Sequence, residues 1–184
     1  MDVAFVIDES GSIKSSDFAK MKTFVLSIVK KLDVSQTKTQ VALMTFSDPA
    51  TIRFTFKNGR SKSKVLSLIN GVRQRRGGTN TDIALRVLVN LMSSRNGGRS
   101  GVQKIAILMT DGKSRSYTHT KKYAALARAK GITLIAVGIG NYRRSELNAI
   151  ATDPDSKHVF TTSTFAGLAH LKSKITRTTC TGML

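Results

Sequence analysis

The sequence predicts an α/β fold: a doubly wound, mostly parallel central sheet with one antiparallel edge strand and helices on both faces. Two observations carry that expectation. Residues 2–7, 40–46, 104–109 and 132–137 are nearly unbroken apolar runs, as strands buried on both faces must be. Between them lie segments whose apolar residues recur at helical spacing, and alternation of this kind builds a parallel sheet through crossover helices.

Taken in order, Asp2-Val-Ala-Phe-Val-Ile7 reads as the first core strand, closing at Asp8. Ser16 or Asp17 is expected to cap a helix through Phe18, Met21, Phe24, Val25, Ile28, Val29 and Leu32, with Lys30 and Lys31 complementing the dipole at its end. Gln40–Phe46 is a second core strand. The alternating run 51–56 follows after a short connection, so it reads as an antiparallel edge strand. Helices are expected over 61–72 and from Thr81-Asp82 to Leu91, then a glycine-rich loop over 95–101. Strand 104–109 ends at Thr110-Asp111-Gly112. A helix over 119–130, strand 132–137, a helix over 143–151, a short strand over 158–160 and a last helix over 164–177 complete the chain.

At 184 residues the chain is expected to be a single domain over 1–184. Its 40% apolar content and two prolines exclude a disordered or collagenous chain, and no apolar run approaches the roughly 20 residues needed to span a bilayer. The chain is expected to be a domain cut from a longer extracellular protein, since Met1 is followed directly by Asp2 and the first strand-like run. The single cysteine, Cys180, has no internal partner, so a partner outside this sequence or a free thiol both fit.

Thirty Lys and Arg against 11 Asp and Glu give a net charge of +19, which attracts polyanions. Specific nucleic acid binding is not expected. There is no Trp, and most Phe residues sit in core patterns rather than on stacking platforms. Against this excess of cations, carboxylates and hydroxyls gather in three loops: Asp8-Glu9-Ser10-Gly11-Ser12, Gly77-Gly78-Thr79-Asn80-Thr81 and Thr110-Asp111-Gly112. Asp8 and Asp111 follow core strands, where open α/β sheets bind ligands. The donors are hard oxygens without His or Cys, which suits Mg²⁺, Mn²⁺ or Ca²⁺ and argues against zinc.

These stretches resemble the von Willebrand factor A domain, also called the integrin I-like domain, along essentially the whole chain. The family's Asp-x-Ser-x-Ser is matched by Asp8, Ser10 and Ser12, its loop threonine by Thr79, and its later aspartate by Asp111. The resemblance implies a metal-ion-dependent adhesion site at those five residues, with Mg²⁺ as the ion and a partner carboxylate in the open coordination position. Glu9 and Asp82 depart from the small residues usual there, and they are expected either to add negative potential near the ion or to face solvent. A basic rim of Lys14, Arg73, Arg75, Arg76, Lys113 and Arg115 flanks the three loops, favouring strongly acidic partners.

The expected function is a non-enzymatic, secreted adhesion or matrix module for acidic proteins, collagen-like chains, or polyanions such as sulfated glycans and a carbonate mineral matrix. Two alternatives are polyanion binding through the basic surface without metal, and an intracellular assembly module. Enzymatic phosphoryl transfer lacks its parts: there is no phosphate-binding Gly-x-x-x-x-Gly-Lys loop, and His119, His158 and His170 are scattered.

Overall fold

A computed structural model describes residues 1–181. Six strands form one sheet in the order β3-β2-β1-β4-β5-β6, with β1 Asp2–Asp8, β2 Gln40–Phe46, β3 Ala50–Phe54, β4 Lys104–Thr110, β5 Ile132–Ile139 and β6 Val159–Thr162. Only β3 is antiparallel, paired with β2. Every residue of β1 is buried, because it lies between β2 and β4 with helices on both faces.

The pleat sends alternate residues of β1 to opposite cores. Val3, Phe5 and Ile7 pack under helices α1 (Ser15–Val29), α2 (Lys62–Asn70) and α7 (Leu168–Thr181). Ala4 and Val6 pack under α3 (Thr81–Leu91), α4 (Tyr117–Ala129) and α5 (Arg144–Ile150). The chain winds outward from β1 through β2 and β3, then returns to place β4 on the other side of β1. That reversal opens a crevice at the carboxyl ends of β1 and β4.

Local corrections concern helix ends. α1 begins at Ser15 with Lys14 in the capping position and no side-chain cap, so neither Ser16 nor Asp17 caps it. Asp17 instead sits in the first turn, where its charge complements the dipole. Lys30 is the C-terminal capping residue, and Leu32, though buried, lies beyond the helix. The last helix begins at Leu168 rather than 164, and a four-residue helix, α6 (Asp155–His158), precedes β6. The 95–101 loop overlaps a 3₁₀ turn at Ser94–Asn96. The side chain of Cys180 falls outside the described part of the structure. Among the described residues no helix is long and apolar enough to cross a membrane.

Candidate metal centre

Parallel pairing of β1 with β4 sets Ile7 opposite Met109, so Asp8 and Thr110 reach the crevice side by side. Asp8 is fully buried. Its Oδ1 accepts the Ser10 backbone N–H at 2.8 Å, and its Oδ2 accepts the Thr110 hydroxyl at 2.7 Å. The hydroxyls of Ser10 and Ser12 share a hydrogen bond of 3.0 Å, and Ser12 Oγ donates to Asp111 Oδ1 at 2.9 Å. The hydroxyls of Ser10 and Ser12 thus lead to Asp111, and the Ser10 N–H ties that chain to Asp8. Ser10 is buried, Asp111 half-buried and Ser12 exposed, so the cluster opens to solvent on one side.

The loop that carries Thr79 is tied to the loop of the two serines. The Gly11 N–H, between the two serines, donates to the Gly77 carbonyl at 2.8 Å. Gly77 has φ +121°, a conformation that disfavours any side chain, and an added Cβ would lie 2.8 Å from Asp48 Oδ2. The hydroxyl of Thr79 makes no hydrogen bond among the described residues, whereas its carbonyl accepts the Arg115 N–H at 3.1 Å.

The electrostatics of the cluster follow from burial without a counter-charge. Burial pushes the Asp8 carboxyl up to about 6, although hydrogen bonds from Ser10 and Thr110 oppose the shift. Burial also raises Asp111, the Ser12 hydrogen bond opposes it, and the nearby Asp17 carboxylate adds to the rise. Among the described residues neither carboxylate has a basic side chain in ion-pair contact, despite the +19 charge of the chain.

Glu9 departs from both expectations. It neither faces solvent nor joins the oxygen cluster, because it is fully buried on the other side of the β1 tip. Arg53 Nη2 donates to both its carboxylate oxygens, at 2.9 and 2.7 Å; the Thr45 hydroxyl donates at 2.8 Å and the Arg75 N–H at 2.9 Å. Its charge is thus neutralised where it sits. Asp82 lies half-buried in the first turn of α3.

Three supporting residues escaped the sequence reading. Gln74 Nε2 donates to the carbonyl of Ile13 at 2.8 Å, with longer contacts to Glu9 and Ser10, tying the 73–79 loop to the β1–α1 loop. Asp48 accepts the Gly78 N–H at 2.8 Å and pairs with Arg115 at 3.0 Å, while its carbonyl accepts Asn80 Nδ2 at 2.9 Å. Arg53, the partner of Glu9, is the third. No local pattern announces these contacts with the loops and with Glu9, which span some 30 to 67 positions.

The basic rim residues are all exposed, but they are not equivalent. Arg115 is held by Asp48, Arg76 leans on the Ser15 hydroxyl at 3.3 Å, and Arg75 reaches the Thr51 hydroxyl at 3.4 Å. Lys14, Arg73 and Lys113 have no side-chain partner among the described residues.

Fold and crevice together define a class: doubly wound α/β domains with an oxygen-only cluster at the switch point of the sheet. The chain belongs to the von Willebrand factor type A domain family, whose model matches residues 2–174. Mouse integrin alpha-X is 35% identical over 181 residues, 95% of this chain and 15% of that protein. Chicken matrilin-1 is 33% identical over 181 residues, 98% of this chain and 36% of its own length. A solved structure of proximal thread matrix protein 1 from the mussel byssus, with a zinc occupied MIDAS motif, superposes with a TM-score of 0.87. It is 31% identical, covering 97% of this chain and 45% of that one. This chain therefore spans less than half the length of these relatives. Its kinship is with domains of extracellular matrix and adhesion proteins.

The zinc in the byssal protein qualifies the argument from donor hardness. Carboxylate oxygens do ligate zinc, and divalent affinities rise along the first transition row to copper, with zinc still a strong binder, so an oxygen set does not exclude it.

Proposed function

We propose that Asp8, Ser10, Ser12, Thr79 and Asp111 hold a divalent cation, Mg²⁺ by preference with Mn²⁺ or Ca²⁺ as substitutes, and that the domain adheres to acidic partners through it. The observation that carries this reading is the pair of carboxylates, one buried and one half-buried, linked through Ser10 and Ser12 and left without a cationic side chain among the described residues. Such a pair is costly unless protonated or bound to a cation.

The donor set is consistent with adhesion rather than storage of an ion. Two carboxylates and three hydroxyls leave a divalent cation incompletely coordinated, so it would supply an electrophilic position for an external carboxylate. The protein's own groups do the rest. Ser10 N–H and Thr110 orient Asp8, Ser12 orients Asp111, and the Gly11–Gly77 contact ties the Thr79 loop to the serine loop. The unpaired cations Lys14, Arg73 and Lys113 would steer anionic chains to the crevice. Partners of this chemistry include acidic matrix proteins, collagen-like chains with exposed carboxylates, sulfated glycans and the acidic layers of a mineral matrix.

The test is capture of an acidic matrix protein in Mg²⁺ against EDTA, repeated with Asp111→Ala. Capture lost in both cases is expected, and capture unaffected by both would overturn the reading.

A further inference from the structure

Away from the crevice, α1 and α7 pack side by side on one face of the sheet and leave a long groove between them. Three adjoining cavities make it up, and Lys172 lines all three. The first, of about 470 Å³, has an apolar floor of Phe24, Phe165 and Leu168 with Lys20 and Lys172 at its rim. The second adds Lys30 and Lys31 from the end of α1, and the third adds Thr176 and Arg177 from α7.

No Asp or Glu lines any of the three. The nearest acids in sequence, Asp17 and Asp33, are already held by Lys20 at 2.8 Å and Lys38 at 2.6 Å. The Thr176 hydroxyl, lining the third cavity, is buried without a hydrogen-bond partner. Lys30, Lys31 and Lys172 stand beside hydroxyls with no acid lining the groove to complement them.

We infer that this groove binds an unbranched sulfated polysaccharide, independently of the divalent cation. Charge complementarity selects a polyanion, and the shape selects a linear one: Lys20 to Lys30 spans about 15 Å along α1 at helical rise. Its cations are mostly lysines, compact point charges that can meet sulfates dispersed along a chain without the fixed geometry of a planar fork. Its aromatic rings, Phe24 and Phe165, are buried or half-buried in the floor, so they offer no open face for stacked bases.

The experiment titrates the chain, in EDTA, with a size-defined heparin oligosaccharide and compares two double variants of equal charge loss. Lys31→Gln/Lys172→Gln removes groove cations while keeping polar side chains of similar reach. Arg86→Gln/Lys121→Gln removes two exposed cations from α3 and α4, on the opposite face of the sheet. Thermal melts confirm that both variants fold, and Lys30→Gln/Lys31→Gln replaces the first pair if it does not.

The groove variant is expected to bind about tenfold more weakly, and its slope of log K against log salt to fall by about two. The opposite-face variant and Asp111→Ala should bind like the parent. Equal losses in both double variants would reduce the effect to net charge and overturn the site, as would no loss in either. If polyglutamate or a single-stranded oligonucleotide of matched charge binds the parent as tightly, with the same dependence on Lys31 and Lys172, the sulfated-glycan assignment fails. Because binding is read without metal, failure here leaves the adhesion reading intact, and the reverse also holds.

Discussion

Asp8 and Glu9 are adjacent, both fully buried, and placed on opposite sides of the β1 tip, yet they live in opposite electrostatic worlds. Glu9 meets Arg53, a hydroxyl and a backbone N–H, so its charge is compensated within the protein. Asp8 meets only a backbone N–H and a hydroxyl, and burial, with a small addition from the Asp111 carboxylate, weakens its acidity against their pull. Burial alone does not mark a functional acid. Burial with no internal cation does, because folding has left the cost of that charge for something else to offset.

The comparison breaks most visibly at Glu9. Glu9→Gln leaves Arg53 without its counter-charge and frees the Arg75 end of the loop, and we expect a loss of about 3 kcal/mol in urea unfolding. Replacing the pair together, Glu9→Leu with Arg53→Met, should recover most of that loss. A single variant as stable as the parent would show that the ion pair is dispensable.

On the Asp8 side the sign reverses. A carboxyl whose folded value lies near 6 against an ordinary 3.8 binds its proton more tightly when folded. Metal-free protein therefore loses stability as pH rises from about 4 to about 6, by an amount of order 3 kcal/mol at neutral pH. Asp8→Asn should be more stable than the parent at pH 7 in EDTA, with the difference closing by pH 4. The same pH range should weaken metal binding on acidification, because the proton and the ion compete for one carboxylate.

Metal addition sharpens the contrast further. Mg²⁺ at a hundredfold excess over its dissociation constant should raise the unfolding free energy by about 2.7 kcal/mol at pH 7. Asp111→Ala should abolish that gain, and Mg²⁺ should stabilise less at pH 5 than at pH 7.

The smallest effect on stability is expected at Asp48. Its pair with Arg115 is solvent-exposed, so Asp48→Ala should cost roughly 1 kcal/mol or less. Because Asp48 also holds the Gly78 N–H beside Thr79, metal affinity should fall by about tenfold, measured by calorimetric titration. Unchanged affinity would mean that the Gly77–Asn80 loop holds its shape without that carboxylate.

Much of the architecture was legible because its signals are local. Fully buried parallel strands have to be nearly continuous in apolar residues, and β1, β2, β4 and β5 are. Asp8, Ser10 and Ser12 occupy a single turn, and Asp111 follows a strand end directly. Helix ends were less legible. Ser16 and Asp17 are strong capping residues on composition, but the chain leaves β1 along a path that starts α1 at Ser15. Four-residue α6 is too short to show a period, and Glu9 gave no hint that its partner stands on β3.

Sequence by itself determined the sheet, the order of its elements and the oxygen chemistry of three loops, because hydrophobic period and donor type are written residue by residue. Tertiary structure decided which buried acid is compensated and which is not, how Asp48 and Gln74 lock the loops together, and where the lysines of α1 and α7 converge. Those outcomes depend on side chains tens of residues apart meeting across the fold, and no local pattern encodes such a meeting.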